Sequence, residues 1–413
     1  NKNVYQFNMK KLKEIKTIIL YLFVFICAIS IINQYFDFTL LIEKNFLNWD
    51  AEHYAFIKDH GYDGFRIAFF PLFPLIWKVI PVDAIWISII NAGIFLTSIY
   101  ILIKQFGIKK YEEIVLYLSI PSFIFFYLPY SESVFFLCSS IMLIGIKNKN
   151  YNLLYIGLFL TILSRPAFTV FIPALIILEL FNPETDKKLR RIVSYITISL
   201  IGVLLVGLIQ YIDTGLIFQF FSVQKNWGNE LQIPQLPLTS WGGDFNVKLD
   251  GFAFIIGVIA GLYLLKLLFN ISNKNSLKPP QEVIFSIAYI SGISLIVLIF
   301  RGGSLFSLNR FVFATPFIII CLNYWLNYKL NLNFKQLLLV FWLIFFFWFL
   351  FGSYHHIQVI LKFLLLTIYV FSFFLLKSSK PILKNVTMGL IIASNFTIQL
   401  YLFCLFLKGE WVA

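Results

Sequence analysis

The amino-acid sequence predicts an all-α polytopic membrane protein, a single transmembrane domain of about 11–13 helices over residues 1–413. Three observations predict this fold class. The chain is 60% hydrophobic and only 13% charged, whereas a soluble domain carries about 25% charged residues. Apolar stretches recur along the whole length, and many reach the roughly 17 residues that a helix needs to cross a bilayer. The short alternating segments of a membrane β-barrel do not occur in the sequence, so the spans are predicted to be helices.

The helices are predicted in the order in which the apolar stretches occur. The first is interpreted as an anchor, since no cleavable-signal pattern precedes it. The turns at 129–132 and 164–166 separate spans so short that tight reversals embedded in the membrane are expected there. The predicted spans lie near 17–36, 86–106, 113–128, 132–146, 152–163, 167–181, 193–212, 252–269, 282–300, 311–328, 336–352, 358–376 and 386–407.

The net charge of +13 would suggest a nucleic-acid partner in a soluble protein, but the positions of the charges argue against one. With the N-terminus inside, the basic clusters between spans all fall on one side, as the positive-inside rule requires of cytoplasmic loops. The acidic residues show the opposite bias and all four histidines fall on the other side, where we expect the function. The basic clusters are Lys10/Lys11/Lys13/Lys16, Lys104/Lys109/Lys110, Lys147/Lys149, Lys187/Lys188/Arg190/Arg191, Lys266/Lys274/Lys278, Lys329/Lys335 and Lys377/Lys380/Lys384.

Two long loops lie on the predicted outer side. In the first, residues 37–85, a short helix is expected from Asn48 to His60, with Asn48 as N-cap and Gly61 as the stop. The apolar segment 68–75 follows, interrupted by two prolines, and is expected to lie in the membrane interface or to re-enter the membrane. The second loop, residues 213–250, is predicted to be a structured lid, because loops of this length in compact proteins tend to be functional.

The helix in the first loop carries the best candidate for a catalytic group. At helical spacing Asp50, His53 and Tyr54 share one face, while Glu52 points elsewhere. A carboxylate in the first turn is stabilised by the helix dipole, and an ionised carboxylate facing a polar cavity is what a general base requires. A solvated, acidic amphipathic helix is an equally good interpretation. No metal site is predicted, because Asp50 and His53 supply two ligands and nothing fixes a third.

Ionisable residues beside membrane helices form a second group of candidates. Glu132 and Arg165 stand where short spans reverse, and either form an ion pair or leave Arg165 to bind a phosphate with its planar guanidinium. Arg301 and Arg310 bracket another outer turn and admit the same two interpretations. The pair His355-His356 is more typical of interfacial packing than of catalysis.

Several motifs resemble those of the phosphatidylinositol-glycan class V family, the GPI mannosyltransferase II enzymes and their bacterial relatives, which have the GT-C glycosyltransferase architecture. They are NWDAEHY at 48–54, HGY at 60–62, AFFPLFP at 68–74, PYSESVF at 129–135, SRP at 164–166, and Gln224 with Trp227. The resemblance covers about residues 45–230. Beyond it, only the stretch from Arg310 to Pro316 is suggestive.

The resemblance implies transfer of a hexose, usually mannose, from a polyprenyl-phosphate donor to a glycolipid or glycan acceptor, with inversion and Asp50 as the general base. It implies a GT-C-like bundle in a bacterial cytoplasmic (inner) membrane, with the active site facing outward, and no obligatory cofactor or metal. Arg66 stands where family members tend to carry an acidic residue, which leaves the acceptor contacts open. The residues expected to contact substrate or phosphate are Trp49, His53, Tyr54, Arg66, Glu132, Arg165, Gln224, Lys225, Trp227, Arg301 and Arg310.

Two other classes of function remain open at this stage. A lipid or glycolipid transporter would use the same charges to line a translocation path, but transporters tend to place them near the midplane and to show internal repeats. Here the charges cluster at one face and no repeat is visible. An inactive relative that serves as an assembly subunit would keep the fold without turnover, although the presence of Asp50 weighs against it.

Overall fold

The computed structural model describes residues 2–36, 39–166, 168–184, 186–240, 244–271, 278–328, 333–352, 356–378 and 380–412, without the side chains of 2–12 and 244–247. Within these ranges it is all-α, and four short 3₁₀ segments occur at 64–68, 121–127, 224–227 and 348–351. The α-helices are α1 (Lys2–Tyr35), α2 (Glu43–Phe46), α3 (Asp50–His60), α4 (Leu72–Val79), α5 (Ala84–Gln105), α6 (Tyr111–Leu118), α7 (Glu132–Lys147), α8 (Tyr151–Ser164), α9 (Phe168–Phe181), α10 (Lys188–Thr214), α11 (Gln219–Val223), α12 (Asp244–Phe269), α13 (Gln281–Phe300), α14 (Leu308–Phe313), α15 (Pro316–Asn327), α16 (Phe334–Phe347), α17 (Ile357–Leu375) and α18 (Pro381–Leu407).

Eight helices in the described ranges are long and apolar enough to cross a membrane, which confirms a multi-pass membrane protein. A ninth span results if the 3₁₀ segment Pro121–Tyr127 and α7, which meet at 105°, are taken together. The predicted number of 11–13 also counts α8, α9 and α15. These helices have only 12–14 residues, so each rises about 18–21 Å and is shorter than the roughly 30 Å hydrocarbon core.

Two predicted continuous spans are broken by proline. The span predicted at 113–128 ends as an α-helix at Leu118, and Pro121 begins a 3₁₀ segment. The span predicted at 311–328 separates into α14 and α15, with Pro316 as the first residue of α15. Proline lacks the backbone N–H of a helix interior and clashes with the preceding turn, but it fits the first turn of a new helix. The second break makes α14, which carries Arg310, a separate short helix.

The helices connect two chemically different ends of the bundle. We call the end with the turns at 106–110, 148–150, 182–187 and 376–380 the basic end, and the end with α3 and α14 the site end. At the basic end Lys147 donates to the carbonyl of Gln105, and Lys377 to the carbonyl of Tyr328 at 2.7 Å. That the basic end faces the cytoplasm stays a prediction from the charge distribution.

The first outer loop folds as a chain of short helices packed on the site end. The predicted helix begins at Asp50, and the prediction of Asn48 as its N-cap is wrong. Asn48 instead donates to the carbonyls of Asn45 and Phe406, each at 2.8 Å, and so ties the loop to α18. Gly61 ends the helix as predicted, with φ of +81°. The apolar segment 68–75 leads into α4, which packs against α3.

The second outer loop is structured over its described residues, but its predicted end at 250 is wrong because α12 already begins at Asp244. Helix α11 and the 3₁₀ segment Gln224–Trp227 come first. The chain then runs beside the turn that follows α13, where Gln235 N donates to Gly302 O at 3.0 Å and Thr239 N to Gly303 O at 3.1 Å. Two predictions fall partly outside the described residues: the lid at residues 241–243 and the interfacial packing of His355.

Candidate functional site

Four charged side chains from distant parts of the chain meet at the site end. Arg310 Nη1 lies 2.6 Å from Asp50 Oδ2, and Arg310 Nε donates to Glu132 Oε1. Arg165 Nη1 lies 2.8 Å from the same Glu132 oxygen. The charges therefore alternate along a chain from Asp50 through Arg310 and Glu132 to Arg165, which we call the charged cluster. The predicted Glu132–Arg165 ion pair is confirmed, and its extension to Arg310 and Asp50 is new.

Burial differs along the charged cluster. The two central side chains, Glu132 and Arg310, are 0% and 5% exposed, while Asp50 and Arg165 at its two ends are 16% and 12% exposed. Two carboxylates balance two guanidinium groups, and a buried charge is tolerated only when it is paired and hydrogen-bonded. The cluster is therefore closed at its centre, and its Asp50 and Arg165 ends are partly exposed.

Both carboxylates stand at helix N-termini. Asp50 is the first residue of α3 and Glu132 the first residue of α7, and no side chain caps either helix. The partial positive charge of a helix N-terminus stabilises a carboxylate there.

Arg310 is held in place by aromatic rings as well as by carboxylates. Its guanidinium carbon lies 4.7 Å from the ring centroid of Tyr130 and 5.3 Å from that of Phe125, within cation–π range. Burial alone would lower the pKa of Arg310, but the nearby Asp50 and Glu132 carboxylates outweigh it and raise the pKa well above its ordinary value. Arg310 is therefore a permanent positive charge.

A buried polar network that the sequence did not single out anchors the helix of Arg310. The Asp250 Oδ1 atom accepts hydrogen bonds from Asn309 N at 2.8 Å and from Asn309 Nδ2 at 2.7 Å. Ser122 Oγ donates to Asn309 Oδ1 at 2.9 Å. Asp250 is 0% exposed, and the sequence signal that could have found it is an acidic residue beside an apolar span. Asp250 and Asn309 are positioning residues, since they hold α14, the helix that carries Arg310, in place.

Arg301 is the cation of this region without a carboxylate in direct contact among the described residues. Its Nε atom donates to Asn229 Oδ1 at 2.7 Å, Nη1 donates to the carbonyl of Phe306, and the guanidinium carbon lies 3.6 Å from the Phe306 ring centroid. Burial lowers the pKa of Arg301 to about 9, against the opposing effect of Asp250 and with a further decrease from Arg310. It stays charged at neutral pH, so it can attract an anion.

His53 lies in an aromatic cluster that joins α3 to the second loop. Its ring centroid is 5.2 Å from Phe65, 5.0 Å from Phe69 and 5.9 Å from Trp227. Trp227 Nε1 donates to the carbonyl of Phe65 at 3.2 Å. Burial lowers the pKa of His53, although the Asp50 carboxylate opposes the change. His53 is therefore neutral at physiological pH.

Tyr54, the next residue of α3, points into the interior. Its hydroxyl donates to Ser131 Oγ at 2.8 Å and ties α3 to the turn before Glu132. Burial raises the pKa of Tyr54, and the Glu132 carboxylate adds to this effect. The hydroxyl stays protonated and acts as a hydrogen-bond donor.

Four more of the predicted substrate contacts, like Arg301, His53 and Tyr54, lie outside the charged cluster. Arg66 is paired with both carboxylate oxygens of Asp63 at 2.9 Å and stacks on an aromatic ring of α3. Lys225 forms an exposed ion pair with Glu230 at 3.3 Å, and its role in binding the phosphate stays a prediction. The Gln224 side chain accepts from Asn229 Nδ2 at 2.7 Å and shapes the loop. Trp49 packs on Trp411 with 5.0 Å between ring centroids.

An apolar groove with a cavity volume of about 380 Å³ lies between α12, α13, α15 and α17. It begins near the charged cluster, where Leu249 adjoins Asp250 and Phe313 lies one helical turn from Arg310. From there it follows one face of α12 towards the basic end. Its lining on α12 consists of Leu249, Phe252, Ile256, Ile259, Ala260, Tyr263 and Lys266.

Among the described residues, no group of three or more His, Cys, Asp or Glu side chains is arranged to hold a metal ion. Comparisons with protein-family models, with curated proteins and with solved structures find no match to this chain. The family resemblance therefore rests on the sequence motifs, and the geometry of the charged cluster and the groove stands beside it as an independent observation.

Proposed function

We propose that the chain is a membrane glycosyltransferase of GT-C type, which transfers a hexose, most simply mannose, from a polyprenyl phosphate to a hydroxyl of a glycolipid or glycan acceptor. One observation carries the proposal. A partly exposed carboxylate, Asp50, is joined to buried arginines at the head of an apolar groove. A base, cations for a phosphate and a place for a lipid tail are the three parts that such a transfer needs.

The proposed reaction is a single inverting displacement. Asp50 takes the proton of the acceptor hydroxyl as general base. The acceptor oxygen attacks the anomeric carbon from the face opposite the phosphate, and the bond between that carbon and the phosphate oxygen breaks. The lipid phosphate leaves with the electron pair.

The developing charge on the phosphate requires fixed cations. Arg301, which has no carboxylate in direct contact among the described residues, is the first candidate, and Arg165 at the partly exposed end of the charged cluster is the second. A planar guanidinium binds phosphate through two parallel hydrogen bonds, and fixed charges of this kind often supply the largest part of catalysis. Trp227 and His53 would contact the acceptor. His53 lies on the same face of α3 as Asp50, and Trp227 packs against the His53 ring.

The site end is proposed to face outward from a bacterial cytoplasmic membrane. The lysines and arginines at the basic end support this orientation, because basic residues are retained on the cytoplasmic side. Donor and acceptor would then both be lipid-anchored at the outer face. No cofactor is obligatory in this proposal, since a phosphate is already a good leaving group.

The test is a transfer assay in membranes that contain the full chain, supplied with polyprenyl-phosphate mannose and native glycolipid acceptors. Asp50→Asn should lower transfer by about 10²-fold or more at equal protein level, the usual scale for a general base. Glu52→Gln is the matched control, because Glu52 is an exposed carboxylate on another face of the same helix, and it should transfer normally. Full activity of Asp50→Asn would remove Asp50 from the mechanism.

A lipid transporter is a second candidate, which one observation favours: the groove runs along α12 towards the basic end rather than stopping near the charged cluster. Proteoliposomes with labelled polyprenyl phosphate distinguish the two. A transporter moves the label between leaflets without any sugar transfer, whereas the glycosyltransferase consumes the sugar-loaded donor.

A further inference from the structure

The groove extends much farther than a phosphate site requires. The residues of α12 that line it recur every three or four positions, so they form one continuous face. An α-helix rises about 1.5 Å per residue, which places Lys266 about 26 Å from Leu249 along the helix axis. The groove therefore covers most of the roughly 30 Å thickness of the hydrocarbon core.

The two ends of the groove differ in polarity. At the site end it adjoins the charged cluster, with Arg310 one turn from the lining residue Phe313. At the basic end its lining becomes amphipathic: the hydroxyls of Tyr263 and Tyr324 lie 3.2 Å apart, and Lys266 and Tyr328 also line it. Tyrosine and lysine are typical of the membrane interface. The apolar part of the groove thus ends where the opposite headgroup layer is expected.

We infer that the groove holds a prenyl tail that crosses both leaflets, so the chain selects long polyprenyl phosphates over short ones. This deepens the proposed function, on which it rests for the identity of the head group. The acyl chain of an ordinary phospholipid reaches only the midplane, about 15 Å, and would leave the half of the groove near the basic end unfilled. Arg301 at the site end, which contacts no carboxylate among the described residues, supplies the charge complement of a phosphate, which a neutral lipid would not use.

The preference is expected to be moderate. A bilayer is as apolar as the groove, so moving the tail from lipid into the groove gains packing contacts rather than a full hydrophobic transfer free energy. We expect undecaprenyl phosphate to bind on the order of tenfold more tightly than geranyl phosphate, which corresponds to about 1.4 kcal/mol.

The experiment measures the affinity of the purified full chain for the two prenyl phosphates by the ligand-dependent rise of its unfolding temperature. Ala260→Phe and Cys321→Phe place a ring in the groove from opposite walls, on α12 and α15. Both should reduce binding of undecaprenyl phosphate to the level of geranyl phosphate and leave geranyl phosphate unaffected. Leu262→Phe is the matched control on α12, because Leu262 is 64% exposed and does not line the groove.

Several outcomes would overturn the inference: equal affinity for the two phosphates, no binding of either, or an unchanged preference in the folded groove variants. If neither variant folds, the comparison of the two phosphates in the unmodified chain still decides. Because the probes carry no sugar, binding is independent of transfer. A length preference without any sugar transfer would refute the proposed function alone, and transfer without a length preference would refute this inference alone.

Discussion

Glu132 is expected to be the structural centre of the charged cluster, and Asp50 its reactive end. Replacing Glu132 by glutamine removes the one carboxylate that contacts both Arg310 and Arg165. Glu132 is 0% exposed and Arg310 5%, so water cannot compensate for the lost charge. Breaking a buried ion pair by removing one partner costs about 3–5 kcal/mol.

Asp50→Asn should cost less. Asp50 is 16% exposed, and Arg310 keeps Glu132 when Asp50 is neutral. The loss is then that of one hydrogen bond to a charged group, about 1.5–3 kcal/mol. Glu52→Gln changes an exposed side chain and should lie within about 0.5 kcal/mol of the unmodified protein.

Thermal unfolding in detergent, followed by circular dichroism, measures this order. Glu132→Gln should lower the unfolding temperature by roughly 3–6 °C, Asp50→Asn by less, and Glu52→Gln by almost nothing. Sugar transfer per folded molecule should show a different order, with Asp50→Asn the most affected. Two results would refute the reasoning: a Glu132→Gln protein as stable as the unmodified one, or an Asp50→Asn protein that keeps its activity while folded Glu132→Gln has lost it.

Three further predictions concern stability. Gly61→Ala should destabilise the protein by about 1–3 kcal/mol, because φ is +81° and the added Cβ would stand 2.7 Å from a carboxylate oxygen. Gly93→Ala is the control in the same unfolding assay, since its Cβ would meet nothing within 4 Å. Glu179→Gln breaks a buried ion pair with Arg191, 2.7 Å long, near the basic end. The substitution should lower the free energy of unfolding by about 3–5 kcal/mol and leave sugar transfer per folded molecule unchanged. A loss of specific activity would contradict this prediction. Burial lowers the pKa of His53 below 6.5, so protonation of His53 favours the unfolded chain. The stability that neutral His53 preserves is therefore present above pH 6.5 and lost as the pH falls. Unfolding temperatures measured across this range should decrease less for His53→Phe than for the unmodified protein, and parallel curves for the two proteins would refute the prediction.

The sequence determined the fold class and the individual ionisable residues of the candidate site. Apolar runs of membrane length can be recognised without any knowledge of their neighbours, because each helix satisfies its own backbone hydrogen bonds. An ionisable residue beside such a run is costly and therefore conspicuous. Glu132, Arg165 and Arg310 were each visible for this reason. Asp50 was visible from its place in the first turn of a short helix, and Gly61 as the stop of that helix.

Only the tertiary structure decided which of these residues are partners. Arg310 lies far from Asp50 and Glu132 in the chain, and hydropathy does not report which helices pack together. The break before Pro316, the role of Asp250 in holding α14 and the true partners of Asn48 depend on those packing choices in the same way. The groove is the clearest case. Its walls come from several helices, none of which shows a groove in its own sequence, so the groove forms only when these helices pack together. Helix formation is local, whereas the charged cluster and the groove arise from contacts between segments distant in sequence. A single sequence could therefore identify the residues of the site but not their arrangement.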